Sequence, residues 1–251
     1  MKLEGKVCLI TNCGEYMGPA IAKQFQQEGA ILVLQTNDLN RAKDELARQG
    51  VNLPPIRFIE ADFSKKGIAE VQITSLAAQM GGLDVLVNVN VNQPGKGKML
   101  HEEEDESWET IIHSLMTELF FTCKAALKHM IPENRGKIVN VTSAAGVAGL
   151  PKYSIYSAAR AGANGLTKAL GKEVAPYNIQ VNAIAQNFVE NETYFPASLI
   201  RNEDVYKKIV KNIPIGRLAK GEESAKLAVF LASDDSDFLC GEVIKFAGGW
   251  G

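Results

Sequence analysis

The stretch T-S-A-A-G-V-A-G-L-P-K-Y-S-I-Y-S-A-A-R-A-G-A, residues 142–163, decides how the chain is read. The run I-V-N-V-T-S that leads into it is apolar and β-branched, which places Ser143 where a buried strand ends. Residues 153–175 are rich in alanine and read as one long helix. Twelve residues separate Ser143 from Tyr156, and Arg160 follows four positions later. Residues four apart share a helical face, so Tyr156 and Arg160 point the same way. A helix folded back beside its own strand brings that phenol to the serine hydroxyl. Tyr153 is a rival phenol, but its neighbour one turn on is Ser157, so it lacks a basic partner.

The same alternation of strand and helix extends in both directions. Short buried apolar runs predict strands at 6–11, 31–35, 56–61, 83–89, 137–141, 179–184 and 242–246. Helical patterns fill 17–28, 40–49, the segment from Asp62 through residue 77, 102–130, 153–175 and 222–232. A long loop with one short helix spans 185–211. Buried strands alternating with helices imply an α/β fold, a doubly wound parallel sheet with helices on both faces. No boundary or repeat divides residues 1–251, so one domain is expected. In such folds ligands bind at the carboxyl ends of the strands. Tyr16, Asp62, Asn90, Ser143 and Gln186 all fall at or just beyond those ends and should share one rim.

Bulk composition narrows the partners. With 46% hydrophobic residues, 22% charged residues and a net charge of −2, nothing points to nucleic acid or an anionic membrane. Four scattered cysteines (Cys8, Cys13, Cys123, Cys240) suit a reducing cytosol, and neither they nor the three histidines have metal-ligand spacing. A cytoplasmic protein without a metal is expected. The acidic run 102–106 suits a helix N-terminus, where carboxylates offset the exposed N–H dipole.

The serine followed by Y-x-x-x-R resembles the short-chain dehydrogenase/reductase superfamily, in which a serine precedes Y-x-x-x-K. Four features depart from that superfamily's usual form. Arg160 stands at the lysine position, a planar fork in place of a compact ammonium. The first turn, T-N-C-G-E-Y-M-G, has Asn12 and Tyr16 where the superfamily has glycines, and keeps only Gly18 of the T-G-x-x-x-G-x-G pattern. Those glycines let a backbone approach a pyrophosphate. Further along, N-V-N-V (residues 88–91) replaces N-N-A-G, and Leu115 takes the position of a relay asparagine. Asp38 is placed either to bind an adenine ribose or to cap the following helix.

The paired motifs T-x-x-x-x-Y-x-G and S-x12-Y-x-x-x-R are similar to those of the halohydrin dehalogenases, a cofactor-independent branch of the superfamily with a Rossmann-like fold. The likeness covers nearly the whole chain. It implies a carbon–halide lyase that closes vicinal haloalcohols to epoxides and halide, and opens epoxides with azide, cyanide or nitrite. Tyr156 would be the base, Arg160 would lower its pKa, and Ser143 would orient the substrate oxygen. Tyr16, Gln186, Asn187, Phe188 and Val189 would hold the halide and substrate. Phe195 and Tyr194 fit either packing or the substrate pocket. The resemblance implies no cofactor and a homotetramer built on helices near 105–130 and 153–175. Two other expectations stand beside it: a NAD(P)-dependent short-chain oxidoreductase, and a non-catalytic member of the same superfamily.

Overall fold

The computed structural model describes residues 1–51, 57–92 and 95–251. Strands and helices alternate along it: β1 (Val7–Ile10), α1 (Gly18–Gln27), β2 (Ile31–Thr36), α2 (Leu39–Arg48), β3 (Arg57–Glu60), α3 (Ile68–Met80), β4 (Val85–Asn88), α4 (Asp105–Ile112), α5 (Glu118–Glu133), β5 (Gly136–Ser143), α6 (Ala145–Ala148), α7 (Ser154–Val174), β6 (Ile179–Gln186), α8 (Ala197–Ile200), α9 (Glu203–Val210), α10 (Gly221–Ala232) and β7 (Val243–Phe246). The seven strands form one parallel sheet in the order β3-β2-β1-β4-β5-β6-β7. This is the Rossmann-like α/β fold. The strand order reverses between β1 and β4, so the loops there open a crevice at the carboxyl end of the sheet.

Successive strand side chains point to opposite faces, and each face has its own core. On one side Cys8, Ile10, Leu34 and Val141 meet Ile21 and Phe25 of α1 and Val229 and Leu231 of α10. On the other, Leu9, Val33, Leu86 and Ile138 meet Ile73 of α3, Leu119 and Ala126 of α5 and Ala163 of α7. No helix among the described residues is long and apolar enough to cross a membrane.

Some expected boundaries move. The helix expected over 102–130 is two helices, α4 and α5, joined by a single π turn, His113–Thr117. Leu115, in that turn, is fully buried. β5 and β6 extend to Ser143 and Gln186, because they pair with each other to that point, with β7 continuing beside β6. The loop after β6 holds two short helices, α8 and α9, rather than one. β3 begins at Arg57; the expected start at Ile56 lies outside the described residues.

A buried polar ladder sets the rotation of α7 on the sheet. Thr122 of α5 donates to Asn88 Oδ1 (2.7 Å), Asn88 Nδ2 to Asn140 Oδ1 (2.9 Å), and Asn140 Nδ2 to Thr167 of α7 (2.9 Å). Thr142 donates to Asn164 Oδ1 at 2.7 Å. Buried polar groups must find partners, so these four elements lock in one register. Further along α7, Gly171 lies against Gly241, where a Cβ would collide with the Gly241 backbone. Gly165, on the same helix, has open space at that position. Gly171→Ala should therefore lower stability in urea unfolding by about 1–3 kcal/mol, the usual cost of overpacking. Gly165→Ala should raise it by about 0.5–1 kcal/mol, the difference in helix preference between the two residues. Equal effects of the two changes would contradict this seating of α7.

Candidate active site

β5 delivers Ser143 to the carboxyl edge of the sheet, opposite Gln186 of β6 in register. The chain then turns through α6 and returns along α7. Gly146 makes that return tight: a Cβ there would stand 2.5 Å from the Arg160 carbonyl carbon. Its missing side chain lets the start of α7 lie over the strand ends, which puts Tyr156 and Arg160 beside Ser143. Tyr156 is 8% exposed and Arg160 1%. The Ser143 hydroxyl oxygen accepts from the Ala145 amide at 3.1 Å and also meets the Tyr156 hydroxyl.

Arg160 is held by backbone. Its Nη2 donates to the Asn90 carbonyl (2.9 Å) and its Nη1 to the Val141 carbonyl (3.3 Å). The guanidinium carbon lies 5.2 Å from the centre of the Tyr156 ring. Among the described residues its Nε has no hydrogen-bond partner. The groups that act on its charge are the phenols of Tyr156, Tyr194 and Tyr16. Burial by itself would push the Tyr156 phenol up. The Arg160 charge, with hydrogen bonds from Arg160, Ser143 and Tyr194, overcomes that and holds it below the usual tyrosine range. Tyr16 and Tyr194 go the other way, raised first by burial and then by the charge developing on Tyr156. Of three clustered phenols, one is set to ionise first.

These groups face a cavity of about 420 Å³ lined by Tyr16, Ser143, Tyr156, Gln186, Asn187, Phe188, Val189, Tyr194 and Phe195, among others. Of the catalytic and halide-binding residues named from the sequence, all line this cavity except Arg160, which lies buried behind Tyr156; Asp38, Asp62 and Asn90 do not line it. Gln186 Nε2 donates to the Tyr16 oxygen at 2.6 Å, and its Oε1 accepts from Ser224 of α10 at 2.6 Å. Asn187 shapes the loop, its Oδ1 accepting from the Phe188 amide (2.9 Å). The Phe188 ring packs against Phe195 and Trp250, with centroids 5.9 and 5.7 Å apart. Asn12 (φ 46°), Tyr16 (φ 49°) and Phe188 (φ 58°) all hold the left-handed backbone that favours glycine. The first turn thus keeps the shape of a glycine turn while carrying side chains.

Other residues sort differently. Asp38 caps α2, accepting from the Arg41 amide at 3.0 Å. Asp62 accepts from Ser64 and does not line the cavity. Sequence reasoning missed Gly146, Ser224 and Trp250. Their importance lies in contacts across long stretches of chain, and no local pattern announces those. Among the described residues no cluster of three His, Cys, Asp or Glu side chains could hold a metal ion.

Residues 15–251 match the family model described as Enoyl-(Acyl carrier protein) reductase. The chain belongs to the short-chain dehydrogenase/reductase superfamily. It is 35% identical over 254 residues to the 3-oxoacyl-(acyl-carrier-protein) reductase FabG of Thermotoga maritima, covering 99% of both chains. It is 32% identical to the enzyme of that name from Chlamydia trachomatis, covering 98% of both. A solved structure titled "Dehalogenation enzyme" is similar with a TM-score of 0.90 and 29% identity, covering 100% of both chains.

These findings correct one expectation. The motifs at Tyr16 and Arg160 pointed to a carbon–halide lyase. The matching family model and the full-length relatives carry reductase names, and reductases are oxidoreductases. A few site positions on a shared scaffold do not set the reaction class.

The usual cofactor of the superfamily is a nicotinamide dinucleotide, and two side chains here depart from its usual site: Tyr16 at a glycine position and Arg160 at the lysine position. Tyr16, with Asn191, Thr193 and Phe195, lines both the Tyr156 cavity and a second groove of about 570 Å³ along α1 and α2, so together they form the wall between them. One N–H on each outer nitrogen of Arg160 is taken by a backbone carbonyl, and its planar fork lies buried behind Tyr156. Tyr16→Gly opens that wall at a φ that glycine adopts freely. Calorimetric titration with NADH and NADPH should show binding tightened at least about tenfold, or ~1.4 kcal/mol. Unchanged affinity would mean that the ring is no barrier. Arg160→Met should move the first tyrosine ionisation, read by ultraviolet titration, up to or above the ordinary range near about 10. A step that stays where it is in the parent would rule out Arg160 as its cause.

Proposed function

We propose that this chain is an enzyme of the oxidoreductase class that moves a proton at the oxygen of a small carbonyl compound or secondary alcohol. The observation that carries the proposal is the depressed phenol of Tyr156 beside Ser143, set in a cavity sized for a small substrate. The reductase names of relatives matching along the full chain support the class.

Reduction needs a hydride donor and oxidation a hydride acceptor, which this chain's own residues do not supply; in the reducing direction the neutral Tyr156 gives its proton to the substrate oxygen as that hydride reaches the carbonyl carbon. The Ser143 hydroxyl donates a hydrogen bond to the same oxygen. In the oxidising direction the phenolate takes the proton of an alcohol. Arg160 stabilises the phenolate in both cases, so the proton moves at a pH where a free tyrosine would hold it. Gln186, Asn187, Phe188 and Val189 would shape the substrate end of the cavity. Because Tyr16 and its neighbours wall the Tyr156 cavity from the outer groove, no step is assigned to a nicotinamide. The same wall favours a second reading, in which Tyr156 transfers its proton with no nucleotide bound.

The test is turnover of short 3-oxoacyl thioesters, ketones and secondary alcohols, followed by nicotinamide absorbance with each nucleotide and by product analysis without any. Alcohol oxidation should rise with pH as Tyr156 ionises, and carbonyl reduction should fall. Tyr156→Phe should cut the rate by about 10²–10⁴-fold, the usual worth of a positioned acid or base. Nucleotide-dependent turnover absent from both the parent and Tyr16→Gly would sink the oxidoreductase reading. Turnover without nucleotide would establish the second.

A further inference from the structure

Tyr194 lies in the loop between β6 and α8, at a junction of three parts of the site. Its hydroxyl donates to the Asn92 carbonyl, in the loop after β4, at 2.6 Å. The same side chain lines the cavity with Tyr156, and each phenol shifts the proton affinity of the other. Its ring stands edge-on to Tyr16, with centroids 5.0 Å apart and planes at 85°. Both ends of this junction are braced. Asn191 Oδ1 accepts from the Thr193 and Tyr194 amides (3.0 and 2.8 Å), and Asn191 Nδ2 donates to the Val189 carbonyl (2.6 Å). Thr193 accepts from the Tyr16 amide at 3.1 Å. Across the cavity, Asn92 Nδ2 donates to Ser114 in the π turn at 3.0 Å.

A hydroxyl carries one hydrogen. While Tyr156 is neutral, Tyr194 gives its one hydrogen to Asn92, the bond the structure shows. An ionised Tyr156 has no hydrogen to give. A phenolate is also a stronger acceptor than a carbonyl, because hydrogen bonds to charged groups are the stronger ones. The single hydrogen of Tyr194 then has two claimants, and the phenolate wins it. Asn92 loses the bond that ties the substrate loop to the β4 loop.

We propose that Tyr194 is a positioning residue that couples the charge on Tyr156 to closure of the 187–196 loop: neutral Tyr156 latches the loop to Asn92, and ionised Tyr156 releases it. The proposal rests on the acid–base role given to Tyr156. The charged and titratable groups facing Tyr194 are Tyr156 and Arg160 from α7 and Tyr16 from the first turn, with Tyr153 further along the cavity wall.

The test needs neither substrate nor nucleotide. Tyr194→Phe keeps the ring against Tyr16 and removes only the hydroxyl. Ultraviolet titration should place the first tyrosinate step about one pH unit or more higher in Tyr194→Phe than in the parent, since the phenolate loses a donor. Tyr156→Phe should abolish that step. Hydrogen–deuterium exchange of residues 187–196, corrected for intrinsic rates, should accelerate in the parent across the same pH interval. It should show no such step in either variant. An unmoved ionisation in Tyr194→Phe, or parent loop exchange without a step, overturns the latch while leaving the role of Tyr156 intact. A first ionisation that survives Tyr156→Phe overturns both.

Discussion

A guanidinium shut away from water with no carboxylate beside it is expensive unless something negative answers it. Arg160 is in that position. The backbone carbonyls of Asn90 and Val141 supply partial charge, and the phenol of Tyr156 supplies the rest by releasing its proton readily. Much of the surrounding structure serves to keep this pair in place. Gly146 lets α7 approach, Gly171 lets the far end of the helix settle, and the ladder from Thr122 to Thr167 fixes its rotation. A rotation that moved Arg160 toward solvent would let water answer its charge, and Tyr156 would behave as an ordinary tyrosine.

The first turn shows how a chain can keep a backbone shape after losing the residues that usually make it. Asn12 replaces a glycine and uses its side chain as a brace. Its Nδ2 donates to the Val89 carbonyl (3.1 Å) and to Glu118 of α5 (2.8 Å), and its amide donates to Gln35 (2.8 Å). Burial pushes the Glu118 carboxyl up to about 7, against the Asn12 hydrogen bond that favours its ionised form. With the turn pinned at that end and by Thr193 at the other, Tyr16 is fixed as a wall rather than a mobile side chain. This wall stands between the Tyr156 cavity and the groove along α1 and α2.

The two kinds of likeness carry different information. Short motifs at Tyr16 and Arg160 describe the local shape of the site, and the structure gives that shape physical content. Likeness along the whole chain describes ancestry; it joins the chain to reductases at 32–35% identity and to a dehalogenation enzyme at 29%. The geometry common to both is a phenol made acidic by a buried cation beside a serine hydroxyl, which handles protons on oxygen.

The sequence by itself determined the alternation of buried strands and helices, and therefore the parallel sheet and the edge at which the site lies. It also determined that Ser143, Tyr156 and Arg160 would converge, because four-residue helical spacing and a strand end are local geometry. Asp38 was legible to the extent that its position allowed a cap, which is what it forms. The tertiary structure alone decided the break of the 102–130 helix at its π turn, and the seating of α7 by asparagines and threonines that read as ordinary strand and helix residues. It alone decided that Arg160 is fully buried, that Gln186 and Ser224 hold the Tyr16 hydroxyl, and that Tyr194 reaches both Tyr156 and Asn92. Those contacts join residues separated by tens to hundreds of positions. Burial, hydrogen-bond partnership and the proton affinities that follow from them exist only once the chain has closed around the site.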